Sequence, residues 1–233
     1  MKILAIDSSA CAASVAIMDN EKLLSEFYLN VGLTHSQTLM PLVSSALECA
    51  GLSCTNIDLF VVTNGPGSFT GVRIGVAAIK GLAQAVNRKC VGVSTLEAIA
   101  YNLLGTECIA CCVMDARCEQ VYTAMFSVDM DSVCRITQDS AMKISELSEQ
   151  INKCSQPVVL VGDGAQICYD TLSAQLPELR LAPEGNRYQR ASGAALASKG
   201  VDAVNFHNLG INYLRLPQAE RELKKLLKSN YKS

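Results

Sequence analysis

Two aspartates carry the first chemical possibility in this chain, because each closes an apolar run that reads as a strand: Asp7 after Ile3-Leu4-Ala5-Ile6, and Asp115 after Cys111-Cys112-Val113-Met114. A carboxylate at a strand end, beside a tight turn, can hold a hydrated cation and through it a phosphate. Ser8 and Ser9 follow Asp7, and their hydroxyls can donate to phosphate oxygens. Ala116 and Arg117 follow Asp115, with no glycine to let the backbone approach a ligand, so a second phosphate clamp reads as degraded. Arg117 can also neutralise Asp115 within the chain. A third turn, Gly162-Asp163-Gly164-Ala165, has two readings: a remnant contact for a flat ligand such as adenosine, or a tight strand-to-helix turn, which is the simpler.

The segment Gly65-Pro66-Gly67-Ser68-Phe69-Thr70-Gly71-Val72-Arg73-Ile74-Gly75 is neither a Walker loop nor a dinucleotide fingerprint. Two readings stand side by side. Gly65 and Gly67 can open the backbone to an anion at the start of a helix capped by Ser68 or Thr70. Alternatively, glycine and proline shape the turn, and Gly71, Gly75, Ala78 and Gly81 give a small-residue helix face that admits a neighbouring backbone. His35 opens a helical stretch, but a helical metal site needs a second ligand at i+4 and Leu39 stands there. His207 is the only other histidine, so no histidine-based centre is expected and no metal ligand is assigned. The eleven cysteines include one CxxC, Cys108 to Cys111, within a strand pattern whose alternation sends the two thiols to opposite faces. Reduced thiols are the expectation. No nucleophile elbow is present, and no catalytic residue is assigned.

These residues need elements to position them. Strands are predicted over 2–7, 12–18 and 22–29, then a helix over 35–50 with one apolar stripe at Leu39, Leu42, Val43, Ala46, Leu47 and Ala50. Thr34 and Gln37 resemble a capping box for that helix. A strand over 57–63, a helix over 72–86, a strand over 90–93 and a helix over 95–104 complete a βββαβαβα order. After Gly105 the pattern restarts with strands over 108–114, 120–128 and 133–137, a helix over 145–153, a strand over 158–161 and a helix over 165–176. Such an order is that of a ribonuclease-H-like unit, and two in tandem make the α/β architecture of the actin, sugar-kinase and heat-shock-chaperone superfamily, the second unit here degenerate. The expected domains are 1–105 plus 215–233, which adds an amphipathic helix over 217–231, and 106–214.

A chain of 233 residues with net charge −2 and 49% hydrophobic content is globular rather than disordered. No apolar run approaches the roughly 18 residues of a membrane span, so no membrane partner is expected. The N-terminus enters a strand without the pattern of a signal peptide, and a cytoplasmic location is the expectation.

Taken together, Leu4-Ala5-Ile6-Asp7-Ser8-Ser9, the stretch from Thr34-His35-Ser36 to Leu39-Met40-Pro41, the 65–75 loop, Asp115-Ala116-Arg117 with Gln120-Val121-Tyr122, Gly162-Asp163-Gly164 and Tyr213-Leu214-Arg215 resemble the bacterial TsaB (YeaZ) family of glycoprotease-like proteins. The likeness runs along nearly the whole chain, and its motifs are specific in combination. It implies a noncatalytic subunit for making threonylcarbamoyladenosine at position 37 of tRNAs that read ANN codons. The implied partners are a TsaD-like catalytic paralogue with a His-x-x-x-His metal motif, a TsaE-like ATPase, a second copy of the chain when alone, and tRNA indirectly through the complex. It implies no cofactor for the chain by itself, with ATP or ADP and Mg entering in the complex. The family's first two helices form the bundle with a partner, which makes Leu39, Leu42, Val43, Ile74 and Ala78, with His35 and Gly75 beside them, candidates for the interface. The cofactor-side candidates are Asp7, Ser8, Ser9, Gly65 and Gly67. A small-molecule kinase would suit the fold but needs a working second clamp; a peptidase needs a nucleophile or metal that the sequence does not offer. Direct tRNA binding would rest on the basic stretch 215–233, which reads more simply as a solvated helix face.

Overall fold

The computed structural model describes residues 1–215; the expected helix over 217–231 lies outside them. In chain order the elements are β1 Lys2–Asp7, β2 Ala13–Asp19, β3 Lys22–Leu29, α1 His35–Cys49, β4 Leu59–Thr63, α2 Phe69–Ala85, β5 Lys89–Val93, α3 Thr95–Ala100, β6 Cys108–Asp115, β7 Gln120–Val128, β8 Val133–Arg135, β9 Ser140–Lys143, α4 Ile144–Ile151, β10 Val158–Val161, α5 Ala165–Leu172, β11 Arg180–Leu181, α6 Glu184–Arg187, α7 Ala191–Ala197 and β12 Val204–Asn205. The second helix begins at Phe69 rather than Val72 because Ser68 caps it, its Oγ accepting from the Gly71 amide at 3.3 Å. Thr34 does not form the expected box: its hydroxyl donates to Gln37 Oε1 at 2.8 Å, and no side chain caps α1.

The strands form two sheets with one plan. In the first the order is β12-β5-β4-β1-β2-β3; in the second it is β11-β10-β6-β7-β8, with β9 also on β7. β1 pairs antiparallel with β2 and parallel with β4, and β6 does the same with β7 and β10. Alternation along β1 sends Leu4 and Ile6 to an outer face, where they meet Leu39, Val43 and Ala46 of α1 and Val72, Val76 and Ile79 of α2. In the second sheet Cys111 and Val113 face Leu147 of α4 and Cys168 and Leu172 of α5. Cys108 lies on the opposite face with Cys112 and Met114, so the CxxC thiols are separated by the sheet. All eleven cysteines are unpaired, and burial pushes the Cys111 thiol up to about 12.

Between the sheets each unit lends a helix to the other. Leu96 and Ile99 of α3 pack on Ala110, Cys112 and Phe126 of the second sheet, while Ala191, Ala194 and Ala195 of α7 pack on Ile3, Ala5, Ala16 and Val61 of the first. β12 then pairs with β5. Residues 191–205 therefore return to the first sheet, although the expected second unit extended to 214. The physical reason is the run Ala-Ser-Gly-Ala-Ala-Leu-Ala of α7, whose small side chains fit a narrow slot between sheet and helix; a Cβ on Gly193 would strike the Ala98 carbonyl of α3. An ion pair locks this crossing: Arg135 reaches Glu97 of α3 at 2.6 Å and Asp139 at 2.5 Å, and Ser94 Oγ donates to Asp139 at 2.6 Å. No helix among the described residues is long and apolar enough to cross a membrane.

Candidate functional site

The ends of β1, β6 and β10 open onto a cleft of about 580 Å³ between the units, lined by Ser9, Gly65, Gly67, Asp115, Arg117 and Asp163 among others. Asp7 stands behind it, 1% exposed. Its Oδ1 accepts from the Ser9 amide at 2.9 Å and the Ser9 hydroxyl at 2.7 Å, while Oδ2 is buried without a hydrogen-bond partner. Burial raises the Asp7 pKa, opposed by the Ser9 bonds.

The hydroxyls expected to meet phosphate are therefore engaged within the chain. Ser8 Oγ donates to the Gly71 carbonyl at 2.9 Å, and the Ser9 carbonyl accepts from the Ser68 amide at 2.6 Å. Gly65 and Gly67 serve the same closure. Gly65, at φ 124°, has the Asn212 carbonyl where a Cβ would stand, and Gly67 has the Ser9 carbonyl there. Of the two readings of the glycine loop, the geometry matches close backbone packing: the loop is pressed onto the β1–β2 turn.

The other two turns are self-contained as well. Asp115 Oδ1 accepts from the Arg117 amide at 2.7 Å, and the Arg117 guanidinium stands 3.7 Å from Oδ2, which matches the internal neutralisation expected of this pair. Arg117, Cys118 and Glu119 all take positive φ to turn the chain into β7. Gly162 is pressed against the Val113 carbonyl and its amide donates to the Arg187 carbonyl at 2.7 Å, so the 162–164 turn packs tightly on β6. Asp163 accepts from Gln189 Nε2 at 3.0 Å; burial at the cleft floor pushes its carboxyl up to about 6, with the Asp115 charge adding to the rise. Sequence reasoning passed over this pair, because nothing in the spacing of two residues from separate segments marks their meeting.

The interface candidates divide. Leu39 and Val43 are 1% and 2% exposed, and Gly75 is buried against Ser8 and Val62. These three are enclosed within the first unit, Leu39 and Val43 where the apolar stripe of α1 packs into its core and Gly75 where α2 meets β1 and β4. Leu42, Ile74 and Ala78 are partly buried along the α1–α2 seam. His35 is also partly buried, its Nε2 2.7 Å from the Ala10 carbonyl and its Nδ1 enclosed without a partner. It braces α1 against the β1–β2 turn.

Two sheets of one plan, exchanged helices and a cleft at the strand ends give the chain the fold shared by actin, sugar kinases and heat-shock chaperones. A ROK hexokinase from Thermus thermophilus superposes with a TM-score of 0.51 at 14% identity, covering 87% of this chain and 100% of that one. A Pseudomonas aeruginosa protein described as similar to peptidase YeaZ reaches a TM-score of 0.76 at 24% identity, over 92% of this chain and 99% of that one. The family model described as TsaD, tRNA N6-adenosine threonylcarbamoyltransferase, matches residues 30–208. The tRNA threonylcarbamoyladenosine biosynthesis protein TsaB of Bacillus subtilis (strain 168) is 31% identical over 227 residues, covering 94% of this chain and 96% of its own. TsaB of Escherichia coli (strain K12) is 34% identical over 171 residues, 71% of this chain and 73% of its own. The chain belongs to the TsaB (YeaZ) family.

Proposed function

We infer that this chain takes part in forming threonylcarbamoyladenosine at position 37 of ANN-reading tRNAs, as a noncatalytic scaffold or activator that pairs with a TsaD-like paralogue and works with a TsaE-like ATPase. One observation carries the noncatalytic reading. Where the paralogue's metal motif would place its second histidine, Leu39 stands in the core at 1% exposure, and the first, His35, is held by the Ala10 carbonyl. Family membership supports the pathway. The α1–α2 seam with Leu42, Ile74 and Ala78 is the surface for the paralogue or, in its absence, for a second copy. Nucleotide binding by the chain alone is weak and needs a partner to complete the site, because the Ser8 and Ser9 hydroxyls are already bonded within the chain.

Depleting this chain is expected to remove threonylcarbamoyladenosine from ANN-reading tRNAs, read by mass spectrometry of tRNA nucleosides; unchanged modification overturns the pathway assignment. The kinase reading shares the fold seen in the hexokinase superposition. Calorimetry on the isolated chain separates the two: affinity for Mg·ATP weaker than about 100 μM is expected, and micromolar binding with phosphoryl transfer to a small molecule would favour the kinase.

A further inference from the structure

The helices α2 and α5 hold matching places in the two units, one following β4 in the first sheet and the other following β10 in the second. Their third and seventh positions differ. In α2 these are Gly71 and Gly75, and a Cβ on either would strike Ser8, so the β1–β2 turn packs directly on the helix. In α5 they are Ile167 and Thr171, whose side chains occupy the space that the glycines leave to a backbone. The β6–β7 turn and α4 accordingly stand off from α5, and a groove of about 760 Å³ opens between them, within the usual range of small-molecule pockets. Asp115 and Arg117 edge both this groove and the cleft; the rest of its lining is separate.

The lining of the groove is apolar in one part and charged in another. Val121, Ile144 and Leu172 are buried beneath it, and Ile167 stands at its side 49% exposed. The charged part is made by an unusual turn: Arg117, Cys118 and Glu119 take φ of 66°, 55° and 57°, a left-handed run that side-chain-bearing residues adopt only at a cost. Through it Glu119 and Gln120, which a regular strand would send to opposite faces, both line the groove. Gln120 pairs with Lys143 across β7 and β9, and the Ile144 amide donates to the Glu119 carbonyl at 3.2 Å, so a carboxylate and an ammonium come to the same region. Neither Glu119 nor Lys143 forms an ion pair among the described residues, whereas Arg117 is drawn to Asp115 at 3.7 Å. The complement of such a lining is a small zwitterion with an apolar tail. We propose that the groove binds a free α-amino acid with an aliphatic side chain, its carboxylate on Lys143, its ammonium on Glu119 and its side chain against Ile167 and Leu172. Both charges are exposed, so water screens them and the expected affinity is modest. The site uses neither the α1–α2 seam nor the closed glycine loop, and stands apart from the pathway role inferred above.

The test uses the full chain and a thiol already at the site. Cys118 is exposed and lines the groove, whereas Cys134, on β8, is exposed outside it. Alkylation of both by iodoacetamide, read by peptide mass spectrometry, is followed against rising L-leucine. Saturable protection of Cys118 alone is expected, half complete at about 1 mM. Two comparison compounds separate the charges: 4-methylpentanoate lacks the ammonium and 3-methylbutylamine lacks the carboxylate, and each is expected to bind about tenfold more weakly than leucine. Lys143→Gln should weaken leucine about tenfold and leave 3-methylbutylamine unchanged, while Glu119→Gln should weaken leucine about tenfold and leave 4-methylpentanoate unchanged. Both side chains are at the surface, circular dichroism checks the fold, and either variant carries the test if the other fails to fold. Absence of saturable protection up to about 20 mM leucine, equal protection by all three compounds, or leucine protection unaltered in the folded charge variants overturns the proposal.

Discussion

Asp163 shows how a single side chain records the cleft's design. Its carboxyl is raised from 3.8 to about 6, chiefly by burial, so the folded protein holds this proton more tightly than the unfolded chain does. Its contribution to stability is full below about pH 4 and is lost as pH rises through about 6. A shift of this size corresponds to about 3 kcal/mol, and the residue's partial exposure reduces it to about 2 kcal/mol. Asp163→Asn keeps an acceptor for Gln189 and removes the charge, so denaturant unfolding should find the variant about 2 kcal/mol more stable at pH 7.5 and equal to the parent at pH 4. The same gain at both pH values would show that packing, not ionisation, decides. Asp7 and Asp115 were legible in the sequence, because a carboxylate ending an apolar strand is a local pattern. That Ser8 turns inward was not legible: its partner, the Gly71 carbonyl, sits on a helix whose approach depends on the whole first sheet, whereas Ser9 bonds locally to Asp7.

Among the elements, helices were legible where one face differed from the other, and β1 as an unbroken apolar run. Leu4 and Ile6 alternate with Ile3 and Ala5, and both sets are buried, against α1 and α2 on one side and α7 on the other. The helix α7 escaped notice because Ala-Ser-Gly-Ala-Ala-Leu-Ala has little contrast between faces; its signal is the run of small residues itself. β9 was missed for a related reason, being four residues long with no fully buried position. Two helical glycines test this account with opposite signs. A Cβ on Gly193 would meet the Ala98 backbone, whereas one on Gly81, within α2, would meet nothing within 4 Å. Gly193→Ala should therefore destabilise by about 2 kcal/mol through overpacking. Gly81→Ala should stabilise by about 0.5–1 kcal/mol through helix propensity. Both are read from thermal or denaturant unfolding, and a Gly193→Ala protein as stable as the parent would mean that α3 and α7 can move apart freely.

At the scale of the whole molecule, the two units are tied together on several sides. α3 and α7 cross between the sheets, Arg135 joins Glu97 to Asp139, and Arg215 reaches Ala116. The proposed association then has to use an outer face, and on the first unit the α1–α2 pair is the face proposed for it. Within it Leu39 and Val43 point to the sheet, while Leu42 lies at the seam, partly buried, and Met40 is 46% exposed. Leu42→Glu tests the seam directly. In the separate chain the new carboxylate can reach water, so circular dichroism should stay unchanged and unfolding should shift by no more than about 1–2 kcal/mol. In a packed helix contact the same charge would be buried without a partner, which costs about 3–5 kcal/mol and weakens association at least about 100-fold. Leu39→Ala provides the contrast: it should cost about 2–5 kcal/mol of stability and leave any remaining folded protein able to associate. Sedimentation of each variant alone and with the proposed TsaD-like partner distinguishes these outcomes. A folded Leu42→Glu protein that still self-associates and still binds the partner would move the docking surface away from the seam, because no close helix contact accommodates a charge at its centre without loss of affinity.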